Sequence, residues 1–431
     1  MCEQHAAAPP PASLTRRGVL ATAVALAGAG AGADRAVAGG PATSGVRETP
    51  GGTLVVENGT LLDPLTGRVI EDAVVVIVRG RVEAAGSRAD TAAARRAAEA
   101  AEVVDADGGW VLPGLVESHI HLNTLAEARD ALSYGATTAR SGSTNFYQDI
   151  GVRALARAVP GRAPTLRAAG LFVTPDLGDG ILADPELAPL ARERNGVRSA
   201  DALRHLVRTN VARGADVIKT RVNERAGLPE QDPTVQVYSR EQLATVVAEA
   251  GRHGKQVLCH SYAEQGIHDA VVAGVRSIEH GVYVGERTLV EMKRRGTYFT
   301  PTLAAMAGMA ESSDPVLAER GRTYLPVVRR AVRAAKELGV PVAAGTDSSG
   351  GTVKPIGREV ELLRAAGLPA LDAIRSATTV GARLLGLERE AGRLLRGFRG
   401  DVVVVDGSPL DDVTVLKKPR VVVKSGVRYA D

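Results

Sequence analysis

Between residues 113 and 388 the sequence alternates short β-rich runs with helical stretches of Ala, Arg and Leu. Stretches typical of helices, such as Arg240–His253, Glu286–Arg295 and Val327–Leu338, separate several of these runs. Eight units over roughly 275 residues favour a (β/α)8 barrel. The alternative is a doubly wound open sheet, but in this sequence no Gly-rich phosphate loop opens a helix after the first predicted strand. The eight predicted strands are Leu115–His121, Ala136–Ser141, Thr165–Val173, Asp216–Val222, Gln256–Tyr262, Ser277–Gly281, Thr297–Leu303 and Val342–Asp347.

Both ends of the chain are also β-rich, with turn residues between short apolar runs. Asn58-Gly59 is a turn signal after the first run, and four consecutive valines follow Asp401 near the other end. We therefore predict an α/β protein with a small composite β-sandwich domain, formed by residues 39–112 and 396–431, beside a barrel at 113–395. Two long segments, 174–196 and 223–238, are expected to set substrate specificity, the first as a lid or specificity element.

The first 38 residues have the features of an export signal. Arg16-Arg17 precedes a weakly apolar run, and Ala36-Val37-Ala38 is a small-residue triplet suited to signal peptidase. This order resembles a twin-arginine signal. The expected location is periplasmic, cell-envelope or secreted, and the alternative is a disordered terminus with a chance Arg pair.

Composition excludes several classes of protein. The chain has 431 residues, of which 45% are hydrophobic, so it can bury a large core and is not a disordered segment. Only 3% are aromatic and no basic block is present, which argues against nucleic-acid binding. No stretch of the mature chain predicts a membrane span. Loss of Cys2 with the signal would leave Cys259, which we predict to be a buried, inert thiol facing the helical shell.

Four of the eight histidines fall at the carboxyl ends of predicted strands, where barrels carry catalytic groups. His119 and His121 are two residues apart on a strand, so both imidazoles project to the same side and can bind one cation. His260 ends the fifth predicted strand and His280 the sixth, and each alone would be read as structural. Three others, His205, His253 and His268, lie in helical stretches and are expected to be solvated.

Asp347 and Lys219 complete the set of candidates. Asp347 closes the eighth predicted strand, where a lone Asp is most often a cap or turn residue. Lys219 ends the fourth predicted strand and is the first of eight lysines in a chain that otherwise uses Arg. A buried ammonium needs a partner, because an unpaired one is costly. It can form an ion pair, or it can react with CO₂ to give a carbamate able to bridge two metal ions.

Together these positions resemble the amidohydrolase superfamily, close to its imidazolonepropionase-like and Xaa-Pro dipeptidase-like branches. The resemblance covers nearly the whole mature chain and includes the segments VENG at 56–59, PGLVESHIHL at 113–122, GATTAR at 135–140 and AGTDS at 344–348. Ser118 and Ser141 stand where relatives often carry other residues. Neither position is a ligand, so these departures concern the subfamily and not the metal site.

The resemblance implies a binuclear site for two divalent ions, for which N and O ligands suit Zn²⁺. His119, His121 and Asp347 would hold the more buried ion, His260 and His280 the more exposed one, and carboxylated Lys219 would bridge them. Asp347 would also transfer a proton. The implied reaction is hydrolysis of an amide, peptide or cyclic amide, by a dipeptidase or N-acyl amino acid hydrolase acting on a small molecule or short peptide. A homo-oligomer is compatible with the sequence.

Two alternatives and one further candidate stay open. A mononuclear deaminase or imidazolone hydrolase would usually lack Lys219, and a non-catalytic exported binding protein would have a broken ligand set. Arg221 lies two residues beyond Lys219 and is either a partner for a substrate carboxylate or a solvated loop residue.

Overall fold

The computed structural model describes residues 51–159 and 161–429. The predicted signal at 1–38 lies outside the described residues, as do the first residues of the predicted β domain. In the part of the chain that is described, no helix combines the length and apolar character needed to cross a bilayer.

Both chain ends build one β domain. The elements are β1 (Leu54–Leu62), β2 (Val69–Val78), β3 (Arg81–Ser87), α1 (Arg88–Ala97), β4 (Glu102–Asp105), β5 (Trp110–Pro113), β13 (Val402–Val405), β14 (Val421–Lys424) and β15 (Val427–Arg428). The strands form a single sheet in the order β15-β14-β13-β5-β1-β2-β3, with β4 beside β1. Val56 and Val75 near one end of the sheet share a core with Val404 and Val423 near the other end. The two layers of the predicted β-sandwich are therefore formed by the two ends of one continuous sheet.

The segment between β5 and β13 forms the barrel. Its strands are β6 (Leu115–Ile120), β7 (Ala136–Ser141), β8 (Thr165–Arg167), β9 (Val217–Arg221), β10 (Gln256–Ser261), β11 (Ser277–His280) and β12 (Tyr298–Thr300). Its helices are α2 (Leu125–Ser133), α3 (Gln148–Ala158), α4 (Ala200–Ala212), α5 (Arg240–Arg252), α6 (Glu264–Ala273), α7 (Glu286–Arg295), α8 (Leu303–Ala310), α9 (Pro315–Glu337), α10 (Ile356–Ala365), α11 (Ala370–Ser376) and α12 (Thr379–Leu384).

Parallel pairing and single bridges close the barrel. Strands β6-β7-β8 form one parallel sheet and β9-β10-β11-β12 another. A bridge between Val173 and Thr220 joins the two sheets. On the other side, residues 342–348 replace the eighth strand, because Val342 bridges Phe299 of β12 and Ser348 bridges Ile120 of β6.

Three predicted strands are shorter than expected. The seventh, 297–303, is a strand only over β12, because Thr302 has a left-handed backbone with φ of 50° and α8 begins at Leu303. In the third and eighth, side chains replace ladder hydrogen bonds. The run 165–173 is a strand only over β8. Beyond it, the Asp149 carboxylate accepts from the amides of Ala169 and Gly170 at 2.7 and 3.0 Å. The run 342–347 makes bridges but no continuous strand. Its Thr346 amide donates to the Glu117 carboxylate at 3.1 Å, and Asp347 has a left-handed backbone with φ of 52°.

The two long segments after the third and fourth strands are both fastened to the barrel. Residues 174–196 contain two 3₁₀ helices, Gly178–Ala183 and Pro185–Arg192. Asp184 caps the second helix through the Glu186 amide and forms an ion pair with Arg213. In segment 223–238, the buried Tyr238 hydroxyl donates to the carbonyl of Val197 at 2.8 Å. The Arg213 pair joins the first segment to the end of α4, and Arg320 of α9 joins the second segment to the barrel by donating to the carbonyls of Ala226 and Leu228 at 2.7 and 2.8 Å.

Candidate metal centre

The end of β6 and the closing segment bring two imidazoles against one carboxylate. His119 Nε2 lies 3.4 Å from Asp347 Oδ1, and His121 Nε2 lies 3.2 Å from the same oxygen. All three side chains are buried, and one ligand atom of each lies within 4.8 Å of the others. Imidazole nitrogen and carboxylate oxygen at this separation can bind one divalent cation.

The other three predicted residues converge on this group. The buried Lys219 Nζ lies 3.1 Å from His119 Nε2. The His280 ring centroid is 5.5 Å from that of His119 and 4.6 Å from that of His260. The structure therefore brings all six sequence-predicted residues to the carboxyl ends of the strands, on one side of the barrel.

Two ring nitrogens on the His260–His280 side have no hydrogen-bond partner among the described residues. They are His260 Nδ1 and His280 Nε2, and both are buried. The second nitrogen of each ring is occupied: His260 Nε2 donates to the Glu224 carbonyl at 3.1 Å, and His280 Nδ1 pairs with the Thr302 hydroxyl at 2.7 Å. A buried polar atom without a partner is costly, whereas a metal ion would satisfy both nitrogens. The residues present thus fit a second cation.

Burial sets the charge state of the ligand set. Desolvation lowers the pKa of His119 to about 4 and lowers the pKa of His260 and His280 well below the usual value, so these rings are neutral near pH 7. Burial by itself raises the pKa of Asp347, but nearby positive charge and the contact with His121 outweigh burial, and the net pKa lies well below the usual value. Neutral imidazole and ionised carboxylate are the forms that bind metal.

A buried carboxylate orients His119. Glu279 Oε2 accepts from His119 Nδ1 at 2.6 Å, while its other oxygen accepts from Arg140 at 2.9 Å and from the Ser277 hydroxyl. Burial raises the pKa of Glu279, but the Arg140 guanidinium and His119 outweigh this, and the net pKa lies well below the usual value. The contact fixes the Nδ1–H tautomer, in which Nε2 carries the lone pair that a cation needs. The Ser143 carbonyl does the same for His121 Nδ1 at 2.6 Å.

Glycine keeps the space above the two imidazoles open. A Cβ on Gly142 would lie 2.6 Å from His119 Nε2 and 2.7 Å from His121 Nε2, in the space that a cation would occupy. Two of the candidate ligands also have strained backbones, because His280 and Asp347 have φ of 70° and 52°. Left-handed conformations of this kind cost about 1 kcal/mol or more and cluster at functional sites.

Several of these supporting residues were not identified as functional from the sequence. Glu279 and Arg140 carry a signal, a charge inside an otherwise apolar strand, but their pairing across 139 positions is visible only in the fold. Ser143 and Glu224 act through backbone carbonyls, for which residue type gives no signal. Glu117 accepts from the amide of His119 at 2.9 Å, and burial raises its pKa to about 8.

Other candidates lie away from the cation site or are already paired. Arg221 is buried rather than solvated; it donates to Thr174 at 2.8 Å and forms an ion pair with Glu224. Its role toward a substrate carboxylate stays a prediction. Cys259 is a buried free thiol in the apolar core, and desolvation raises its pKa to about 12, so it is inert.

Comparison with known proteins agrees with this geometry. Residues 110–428 match the model of the Amidohydrolase family. The chain belongs to this family. Ochratoxinase of Aspergillus niger is 28% identical over 228 residues, 52% of this chain but only 47% of the relative. Imidazolonepropionase of Caulobacter vibrioides is 26% identical over 387 residues, covering 78% of this chain and 88% of the relative. The structure of a Xaa-Pro dipeptidase shares the fold, with a TM-score of 0.76, 24% identity, and coverage of 88% of this chain and all of that one.

The family match establishes the class of fold, and the geometry identifies the buried group. The amidohydrolase relatives have a barrel with an attached β domain, and this chain has the same two parts. The family is metal-dependent, and the buried His119–His121–Asp347 group is arranged as a metal site requires. The chain spans about half the length of the first curated relative it matches.

Proposed function

We propose that this amidohydrolase is a metal-dependent hydrolase of carbon–nitrogen bonds, acting on amides, short peptides or cyclic amides. The observation that carries the proposal is the convergence of His119, His121 and Asp347 with Lys219, opposite the two bare nitrogens of His260 and His280. A set of neutral imidazoles around a carboxylate and a lysine suits two divalent cations, with Zn²⁺ favoured by the donor atoms.

Each residue has a separate task in this proposal. His119, His121 and Asp347 would hold one cation, and His260 and His280 would hold the other. Cations bound there would supply Lewis acidity toward the scissile carbonyl and toward an attacking water molecule. The Asp347 carboxylate accepts the proton of that water and passes it to the leaving nitrogen.

Lys219 is proposed to carry a carbamate. Its Nζ is fully buried and close to a metal-ligand nitrogen, where an ammonium would repel a cation. Reaction of the neutral amine with CO₂ forms an N–C bond and releases one proton, which converts a repelling charge into a bridging carboxylate. The alternative is a mononuclear site, in which Lys219 stays an amine and only the His119–His121–Asp347 group binds metal.

The substrate class is proposed from the surroundings and from relatives. Tyr262 stacks on His280 with ring centroids 5.2 Å apart, and Tyr324 lies between Tyr262 and Tyr283, 5.8 Å from each. This aromatic wall suits an acyl group or side chain with an apolar surface. The name of one similar structure, a Xaa-Pro dipeptidase, adds dipeptides to the proposed substrates, and N-acyl amino acids are proposed from the sequence. Export by residues 1–38, in folded and metal-loaded form, is proposed from the sequence.

Metal analysis of matched lysine variants tests the proposal. Wild-type protein is expected to hold about two zinc ions per chain and to hydrolyse members of a dipeptide and N-acyl amino acid panel. Lys219→Ala should lose at least one ion and most of the activity. Added short carboxylates should partly restore the activity of this variant. Lys418→Ala removes an exposed lysine and serves as the control.

Each outcome decides one part of the proposal. Full metal content and activity in Lys219→Ala would refute the carbamate. One ion per chain in wild-type protein, unaffected by Lys219→Ala, would establish the mononuclear alternative. Metal-loaded protein that cleaves no member of the panel would refute the proposed reaction and favour a binding protein.

A further inference from the structure

A cavity of about 290 Å³ lies between the β domain and the barrel, away from the metal centre. Its walls come from the β2–β3 turn with Arg79, from α3 and β8 of the barrel, and from β14 with Lys424. Thr165 opens β8 and lines the cavity, so the cavity lies at the amino end of this barrel strand. The metal ligands lie at the opposite, carboxyl ends, and none of them lines it.

This cationic cavity is rich in basic side chains. Seven of its lining residues are Arg or Lys and one, Glu390, is acidic. Four of the cations have a carboxylate partner: Arg153 pairs with Asp216, Lys424 with Asp401 at 2.7 Å, and Arg399 and Arg81 share Glu390, at 2.6 and 3.9 Å. Seven cations beside three carboxylates leave a surplus of four positive charges.

Three guanidinium groups on the wall have no ion pair or hydrogen bond with any described residue. They belong to Arg79, Arg157 and Arg167. Arg167 lies two positions after Thr165 on β8, and Thr165 accepts a hydrogen bond from Lys424 at 2.9 Å. Alternation along the strand puts Thr165 and Arg167 on the same face, toward the cavity. Each unpaired guanidinium keeps its donors available for a ligand.

Two features of the backbone shape the wall of the cavity. Arg79 occupies a left-handed position, φ 49°, in the two-residue turn before Gly80, where Asn, Asp or Gly is the usual residue. Beneath it, Gly51 and Gly80 pack so closely that a Cβ on Gly51 would lie 2.5 Å from Gly80 Cα. Clustered like charges repel one another, so this arrangement gains stability from an anion in the cavity.

We propose that the cationic cavity is a binding site for a small phosphate-bearing anion, such as diphosphate or a small phosphate ester. Guanidinium groups match phosphate oxygens in geometry and charge, and several can act on one ligand. A volume near 290 Å³ is at the lower limit for small-molecule sites. No aromatic side chain lines the cavity among the described residues, so it offers no surface on which a nucleobase could stack.

Such a ligand would also join the two parts of the molecule. Arg79 belongs to the β domain, whereas Arg157 and Arg167 belong to the barrel. An anion held between them would bind the folded protein and not the unfolded chain, so it would raise the unfolding temperature.

Calorimetric titration of the metal-loaded protein with diphosphate tests the proposal. One diphosphate should bind per chain, with an affinity that falls as salt rises. Arg157→Gln/Arg167→Gln removes two cations that hold no other group and should weaken binding at least about tenfold. The matched control Arg129→Gln/Arg287→Gln removes two exposed, unpaired cations elsewhere and should bind as the wild type does. Hydrolase activity should be the same in all three proteins.

Three results would overturn the proposal. Absence of diphosphate binding would exclude the site. Equal weakening in the control variant would show general attraction to a basic protein. Unchanged binding in Arg157→Gln/Arg167→Gln would place diphosphate elsewhere, with the metal centre as the first candidate.

Discussion

Replacing Glu279 with Gln separates the two roles of this carboxylate. One oxygen of Glu279 orients His119 and the other neutralises the buried Arg140. Glutamine keeps the shape but has a single acceptor oxygen, which can serve only one of these partners. We therefore expect Glu279→Gln to weaken both metal binding and stability.

The magnitudes follow from the contacts. Loss of a group that orients a metal ligand typically weakens affinity 10–100-fold, or about 1.4–2.7 kcal/mol. Leaving the buried Arg140 without its counter-charge costs about 3–5 kcal/mol of unfolding free energy. Glu249→Gln is the control, because Glu249 is also a buried acid paired with Arg208, but on α5 and outside the metal centre.

The assay combines chelator competition for zinc with urea unfolding of the metal-free protein. Arg140→Met/Glu279→Gln should recover much of the stability, because the uncompensated charge is gone, yet should still bind zinc weakly. Wild-type zinc affinity in Glu279→Gln would refute the reasoning, and so would full recovery of affinity in the double variant.

Three further changes have defined outcomes. Gly142→Ala puts a methyl group within 2.7 Å of both imidazoles and should weaken zinc binding at least about tenfold, whereas Gly151→Ala, which meets nothing within 4 Å, should not. Burial raises the pKa of Glu359 to about 8, so the folded state binds this proton more tightly than the unfolded state. The free energy of unfolding should then fall as the pH rises from about 5 to 8, by at most about 1.4 kcal/mol per pH unit. Glu359→Gln should weaken this pH dependence, measured by urea unfolding at each pH. Arg221→Met should raise KM for substrates with a free carboxylate and leave neutral esters unchanged; equal effects on both would assign Arg221 to supporting Glu224 alone.

The sequence predicts which candidate residues lie together, because simple geometry governs their placement. Two histidines separated by one residue on a strand must share a face, and residues that end parallel strands must meet at one edge. These two rules place His119, His121, His260 and His280 together, and Lys219 and Asp347 with them, since these two also end predicted strands. The roles of all six as metal ligands come from the family resemblance and stay a prediction.

The supporting contacts depend on closure of the barrel, which residue spacing does not encode. Glu279 contacts His119 across 160 positions in the sequence. In His260, Nε2 bonds to the backbone carbonyl of Glu224, and for this reason Nδ1 is the nitrogen without a partner among the described residues. The shortened third and eighth strands have the same origin, since Asp149 and Glu117 take amides that a ladder would otherwise use. Competition between side chains and the ladder is invisible in hydrophobic periodicity.

The bridged eighth segment has a consequence for the order of synthesis. His119 is made early, but Asp347 arrives 228 positions later, on the segment that seals β12 to β6. The β domain likewise waits for β13 and β14. A ribosome-bound chain therefore holds histidines without their shared carboxylate during most of translation, and loading of metal becomes one of the last steps in maturation.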